Sequence, residues 1–375
     1  MKKRIYISVI NDLVTDQRVQ RIAGTLSKSD YLPVLLGRKL RKSPRLRLEG
    51  IVYKRFRLIF NNGFLFYAFF NIRLFLYLIT RRGKVILLAN DLDTLPANYL
   101  ASVLRGWKLI YDSHEYFTEV PELSDRKFVR NFWLQLEKIL VPRVNLAYTV
   151  NETLAKMYSA KYGLKFHVIR NVPGEILKPI DYVLPDDFQE MKIILYQGAI
   201  NKDRGLEGII KLMSRLDEIA LIIAGDGDIL DTLKQLVKDE KLTHKVYFTG
   251  RLCPQRLRAL TQQADLGISL ERKSNLNYYY ALPNKIFDYI QANVPVVCSG
   301  FPEMKRIIDD YNVGMTVKSD NKELLFEILL EALYNKEKRK EWQENCTLAS
   351  SVLNWEIEQK RLISIYTDEG LVFEG

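Results

Sequence analysis

Cysteine is nearly absent from this chain: Cys253, Cys298 and Cys346 are the only three among 375 residues. They lie far apart in no zinc spacing, and their odd number makes no disulfide framework, which fits a reducing compartment. Histidine is as sparse, with only His114, His167 and His244, so no histidine-rich metal site is written here. There is no uninterrupted run of about 20 apolar residues, the length a spanning helix needs. The apolar stretch that follows the basic start ends at Asn11-Asp12, too short for a signal peptide, and reads as a first strand. A Walker P-loop and a complete G-x-G-x-x-G fingerprint are also missing, which weighs against a kinase and a dehydrogenase. No RNA- or DNA-binding motif appears, so a nucleic-acid partner is not expected.

What is present is an ordinary globular composition, 47% hydrophobic and 27% charged, with a net charge of +11. That charge favours anionic partners such as phosphorylated ligands or acidic lipid. Uninterrupted apolar strands alternate with helices through the first half (residues 4–10, 32–36, 85–89, 109–112 and 147–150). The pattern returns in the second half (193–197, 221–224, 246–249, 266–269 and 294–297). Such strands argue for parallel sheets covered on both faces. Between the two series, residues 171–190 carry Pro173, Gly174, Pro179 and Pro185 with several aspartates, and read as a linker. The expected organisation is two doubly wound α/β domains, 1–172 and 191–350, with a linker at 173–190. A terminal segment, 351–375, is expected to be helical at 351–366. Ligand crevices lie at strand C-terminal ends in such folds, so the site is expected between the domains.

Three loops of the second half follow strand ends. Gly198-Ala199-Ile200-Asn201-Lys202-Asp203-Arg204-Gly205 opens a helix; glycine lets backbone approach a phosphate, and Arg204 can pair with phosphate oxygens. Gly225-Asp226-Gly227-Asp228 is either a phosphate loop or a plain tight turn. Leu282-Pro283-Asn284-Lys285 enters a helix with apolar Ile286, Phe287, Tyr289 and Ile290. Its unpaired N–H groups and Lys285 make a seat for a diphosphate, unless Lys285 is only a solvated charge. Arg204 and Lys285 are both expected at the crevice surface. No carboxylate set has a metal-ligand pattern, so no metal is expected.

In the first half, Asn90-Asp91-Leu92-Asp93-Thr94 and Asp112-Ser113-His114-Glu115 follow two strands. His114, set among carboxylates on such a loop, is a candidate functional group rather than a structural one. Asp16 and Arg18 either line the crevice or belong to a helix start. Residues 56–79 are intensely apolar and aromatic, with Arg55, Arg57, Arg73, Arg81 and Arg82 around them. That mixture suits either a core helix or a helix lying at a lipid headgroup interface.

The segments YQGAINKDRGLEGI, IAGDGD, VYFTG and YALPNKIFDYIQANVPVV, with NDLVTDQRV, ANDLDTLPA and YDSHEYFTEVPEL, together resemble GT-B glycosyltransferases of the family 4 (group 1) type. The likeness is to a bacterial polysaccharide-assembly subgroup. The resemblance implies two Rossmann-like domains facing across a cleft, with a C-terminal helix crossing back to the first. It implies retaining transfer from a nucleotide-diphosphate-sugar to a glycan or lipid-linked acceptor in surface polysaccharide or lipopolysaccharide synthesis. Gly198, Arg204 and Lys285 would hold the diphosphate, Gly225, Asp226 and Asn284 would line the donor site, Asp288 would reach the ribose, and His114 would sit near the sugar. Arg204 stands where many relatives carry lysine. Tyr280 replaces the first motif glutamate, which would contact sugar hydroxyls, and that role passes to Glu271, Asn277 or backbone near Pro283. The expected place is cytoplasmic and peripheral, at an anionic inner membrane face. The alternatives are a nucleotide-sugar 2-epimerase of the same architecture and a basic, non-enzymatic membrane or nucleic-acid adaptor.

Overall fold

The computed structural model describes residues 3–41, 43–46, 48, 50–174, 178–318, 321–368 and 370. Linker residues 175–177 and tail residues 371–375 lie outside the described residues. The chain divides into two compact units, Met1–Asn171 with Glu358–Gly375, and Val172–Ile357.

The first unit holds a seven-stranded sheet: β1 (Lys3–Asp12), β2 (Tyr31–Arg38), β3 (Val52–Phe56), β4 (Val85–Asn90), β5 (Lys108–Ser113), β6 (Leu146–Thr149) and β7 (Phe166–Val168). Its order is β3-β2-β1-β4-β5-β6-β7, and every pair is parallel. The strand order reverses between β1 and β4, where open parallel sheets leave a crevice. β4, Val-Ile-Leu-Leu-Ala-Asn, is buried throughout, as a strand covered on both faces requires. The outer strands β3 and β7 are not anticipated by the apolar pattern. β3 is the edge sequence VYKRF, mostly exposed, and β7 has only three residues.

The second unit holds β8 (Lys192–Ala199), β9 (Ile219–Asp226), β10 (Val246–Gly250), β11 (Leu266–Ser269), β12 (Val296–Ser299) and β13 (Gly314–Val317). Their order is β10-β9-β8-β11-β12-β13, again all parallel, with the reversal between β8 and β11. Its core is aliphatic: Ile194, Leu221, Ile223, Leu266, Ile268 and Val297 pack with Ile209, Ile210 and Leu329 from the helices. Burying each such side chain contributes about 1.5–3 kcal/mol. β12 begins two residues later than expected because Pro295 has no N–H for the ladder.

The aromatic segment forms the helix Gly63–Ile79, with Phe66, Phe70, Leu74 and Leu78 buried at four-residue intervals. This stripe faces the core, and Phe64, Leu65, Ile72 and Leu76 remain exposed. The terminal helix runs Trp355–Asp368 rather than 351–366, since Ser351 and Val352 complete the preceding helix Lys336–Val352. From Glu358 onward it belongs to the first unit, so the chain returns there at 358 rather than 351. There the buried Tyr366 packs edge-on against Tyr31 at 5.8 Å between centroids. Its hydroxyl meets that of Tyr148 at 3.3 Å.

Candidate functional site

In the second unit the sheet reversal brings the loop after β8 beside the loop after β11. Glu271, two residues past β11, is fully buried. Its Oε1 accepts from Lys285 Nζ at 3.1 Å and from Arg204 Nη1 at 3.3 Å. Its Oε2 accepts from the Ser269 hydroxyl at 2.9 Å, and its carbonyl accepts from the Ser299 hydroxyl at 2.7 Å. Burial alone would raise the Glu271 pKa, but Lys285, Arg204 and Ser269 outweigh it and hold it below its ordinary value. Burial likewise works against the Arg204 charge, and Glu271 overcomes it, raising that pKa.

Both cations rest on aromatic faces: Lys285 Nζ lies 4.0 Å from the Tyr196 ring centroid, and the Arg204 guanidinium 4.3 Å from that of Tyr278. Each cation is attracted by the ring it faces. Arg204 Nε is buried and has no hydrogen-bond partner. Lys285 is the second residue of the helix Asn284–Gln291, which no side chain caps. Gly198 closes the arrangement: a Cβ placed on it would come within 3.5 Å of Lys285 Cε. The cluster thus sets two cations against one carboxylate, with an unused donor and an uncapped helix start. That set suits an anion with several oxygens.

Two glycines let the loops approach. Gly225 has φ +153°, and a Cβ there would stand 1.9 Å from the Gly198 carbonyl oxygen; at Gly205, φ +77°, it would meet the Leu270 carbonyl at 2.1 Å. Asp226 is exposed and its carboxylate caps the Gly227 N–H at 2.9 Å. Asn284 is exposed at the helix start. Asp288 accepts from Gln197 Nε2 at 2.9 Å, and Gln197 in turn accepts from the Thr261 hydroxyl at 2.8 Å.

In the first unit, His114 lies between two carboxylates. Nδ1 is 3.1 Å from Asp91 Oδ2, and Nε2 is 3.1 Å from Asp112 Oδ2 and 3.2 Å from Asn90 Oδ1. Burial disfavours its charge, yet Asp91 and Asp112 prevail and raise its pKa well above 6.5. The imidazolium therefore donates from both nitrogens and has no free lone pair to act as a base. Behind it, Arg18 donates to both oxygens of Asp112 at 2.8 and 2.9 Å and to the Ile169 carbonyl at 2.9 Å. Arg18 is buried, so it supports this cluster and does not line a crevice. Asp16 caps the helix Gln17–Ser27 by accepting from the Val19 N–H at 3.1 Å.

Gly198, Arg204 and Lys285 converge, whereas His114 belongs to the other unit. Three sequence expectations change. Lys285 is buried rather than at the surface, because its ammonium is drawn onto Glu271. Glu271, expected among the groups that could contact sugar hydroxyls, is fully buried with Lys285, Arg204 and Ser269 donating to its carboxylate. Arg55 turns inward to Asp12 at 3.5 Å and to the Pro44 carbonyl at 3.1 Å, so it offers no charge to lipid. Tyr280 ends the short helix Leu276–Tyr280 with its ring 4.9 Å from that of Tyr279. Tyr196, Tyr278 and Gln197 were not anticipated. Gln197 had a visible signal, a lone amide ending an apolar strand run. Tyr196 and Tyr278 had none, since aromatic residues there read equally as core. No helix among the described residues is long and apolar enough to cross a membrane.

Residues 186–348 match the family described as glycosyl transferases group 1. The chain is similar to chitobiosyldiphosphodolichol beta-mannosyltransferase from Candida albicans, 23% identical over 358 residues, covering 85% of this chain and 77% of the relative. Among solved structures it resembles sucrose-phosphate synthase from Thermosynechococcus elongatus, with a TM-score of 0.80 at 14% identity over 98% of this chain and 99% of that one. It also resembles Anabaena HepE in complex with UDP and glucose, with a TM-score of 0.75 at 13% identity over 98% and 100% of the two chains. At those identities the likeness shows the fold, two Rossmann-like α/β units of the GT-B kind.

Proposed function

We propose that this chain, whose residues 186–348 match glycosyl transferases group 1, moves a sugar, with retained anomeric configuration, from a nucleoside-diphosphate sugar to a glycan or lipid-linked acceptor. The observation that carries this reading is the convergence of Arg204 and Lys285 on Glu271, beside Gly198, with Arg204 Nε unpaired. When the bond between sugar C1 and phosphate oxygen breaks, the electron pair leaves with the nucleoside diphosphate. Fixed cations and the start of the helix Asn284–Gln291 stabilise that growing charge more than they stabilise the intact donor. The acceptor hydroxyl then bonds to C1 on the leaving-group face, and its proton passes to a phosphate oxygen. The side chains already supply positive charge, so the reading requires no metal. Asp288 is assigned to the ribose, and Gly225, Asp226 and Asn284 to the wall of the donor site. His114, doubly donating and cationic, is assigned to the sugar as a charged group rather than as a base.

One relative is named for a lipid-linked acceptor, chitobiosyldiphosphodolichol, and a structural neighbour is described in complex with UDP and glucose. Both support a uridine or related donor and an acceptor held at a lipid surface. The place that follows is the cytoplasmic face of the membrane, in assembly of a surface polysaccharide or lipopolysaccharide. A thermal-shift panel of UDP, GDP, ADP and TDP, followed by mass spectrometry of products with the matching sugar donors, tests the reading. Stabilisation by one diphosphate is expected, with transfer that continues in excess EDTA. No stabilisation by any of them sinks the donor site, and activity restored only by magnesium or manganese sinks the metal-free mechanism. An anomeric configuration opposite to the donor's, read by NMR of the product, rules out retention. Sugar isomerisation without an acceptor would favour the epimerase.

A further inference from the structure

The first unit leaves large apolar side chains in water after its core is filled. Ile59 is 75% exposed, Phe64 68% and Phe128 86%. Phe60, Leu65 and Phe132 are exposed as well. Ring contacts join the segments that carry them, from Phe60 to Phe69 at 6.0 Å, from Phe64 to Phe132 at 6.1 Å, and from Phe132 to Trp133 at 5.6 Å, and Phe128 stands one helical turn before Phe132. The start of the helix Gly63–Ile79 and the start of the helix Lys127–Leu140 therefore form one patch with the loop before Gly63. The buried stripe Phe66, Phe70, Leu74 and Leu78 already anchors the first of these helices.

Exposed Arg57, Arg73, Arg126 and Lys127 border the patch, against exposed acids Glu122 and Asp125. Arg73 is held in place, donating to the Arg57 carbonyl at 2.5 Å with its guanidinium 5.7 Å from the Phe56 ring centroid. Aromatic rings framed by a net excess of cations match an anionic lipid surface, where rings enter the headgroup region and cations meet phosphates. The patch is tied to the His114 loop. Asn71 Nδ2 donates to the Asp93 carbonyl at 2.8 Å, and Asn71 Oδ1 accepts from the Ala97 N–H at 3.2 Å.

We propose that the joined starts of the helices Gly63–Ile79 and Lys127–Leu140 are the surface on which this protein docks to an anionic lipid bilayer. The proposal rests on the reading of a lipid-linked acceptor and deepens it, because it names the side chains that enter the lipid and adds a helix the sequence did not single out. Asn71 then holds the Asp91–Thr94 loop, and with it His114, at a fixed position relative to that surface.

Co-sedimentation with phosphatidylcholine vesicles, with and without about one-third phosphatidylglycerol, tests it at low salt and at about 0.5 M salt. Wild-type protein is expected to bind the anionic vesicles and to lose much of that binding in salt. The Phe64→Asp/Phe128→Asp variant should partition at least about tenfold less. Its melting temperature should stay unchanged, since both side chains are exposed. Arg57→Gln with Arg73→Gln and Lys127→Gln should bring anionic binding down towards the phosphatidylcholine level. Failure of the wild type to bind at low salt overturns the proposal, as does equal binding by the Phe64→Asp/Phe128→Asp variant. A dimer dissolved by the same substitutions, without vesicle binding, would also overturn it and assign the patch to self-association. No sugar transfer is read, so these failures leave the transferase reading standing. Vesicle binding without any nucleotide-diphosphate binding would instead sink that reading alone.

Discussion

At the scale of single residues, the informative arrangement is one buried carboxylate shared by two cations. Arg204→Ala and Lys285→Ala should each lower turnover about 10²-fold or more, the size of loss seen when a charge-stabilising group is removed. Lys285→Ala should also destabilise the fold, because it strips a cation from the buried Glu271. Breaking a buried pair costs about 3–5 kcal/mol, and the remaining Arg204 contact places this case at the lower end. Combining Lys285→Ala with Glu271→Gln should recover urea stability without recovering turnover. Recovery of both would mean that Lys285 serves only to balance Glu271.

His114 gives a second residue-scale prediction. Its folded pKa lies well above the ordinary 6.5 because Asp91 and Asp112 outweigh burial. The group therefore binds its proton more tightly when folded. The resulting stabilisation is complete below about pH 6.5 and disappears as pH rises through the raised value. His114→Gln should remove that slope. Urea midpoints measured from pH 6 upward should converge for variant and wild type at the alkaline end, and parallel curves would refute the assignment.

At the scale of elements, the proposed donor site depends on backbone approach between neighbouring strand ends. Gly225 stands where a Cβ would overlap the Gly198 carbonyl, at a φ that side chains rarely adopt. Gly225→Ala should push the end of β9 away from β8 at a cost of about 1–3 kcal/mol in strain. Nucleoside-diphosphate affinity should fall with it, measured by calorimetry beside a melting curve. Unchanged affinity would show that the Gly198 loop does not touch the ligand. The helix Gly63–Ile79 carries another lesson. Its sequence is apolar on every side, so periodicity alone does not choose between core and surface. The structure assigns both roles, one to each face.

At the scale of the whole molecule, the return of the chain at Glu358 closes the first unit. Glu358 is buried, accepting from the Arg170 N–H at 3.0 Å, and Tyr366 fills the space between Tyr31 and Tyr148. Tyr366→Ala should cost about 3–5 kcal/mol, as large-to-small changes at buried aromatic sites do. A loss near zero in urea unfolding would show that the terminal helix is only loosely held.

The sequence by itself determined the fold class, two α/β units with parallel sheets, because continuous apolar strands alternating with amphipathic helices have few other ways to be covered. It also placed Arg204 and His114 on loops after strand ends, Gly198 at a strand end and Lys285 at a helix start, since strand C-termini are marked by the shift from apolar to polar residues. The edge strands β3, β7 and β13 escaped it: short strands held by backbone pairing leave little trace in side-chain pattern. Only the tertiary structure decided that Lys285 is buried on Glu271, that Arg18 braces Asp112 across 94 positions of chain, and that Phe64 meets Phe132. These contacts join segments far apart in sequence. Whether a charge is solvated or paired, or a ring buried or exposed, depends on what the rest of the chain brings beside it, which local pattern does not encode.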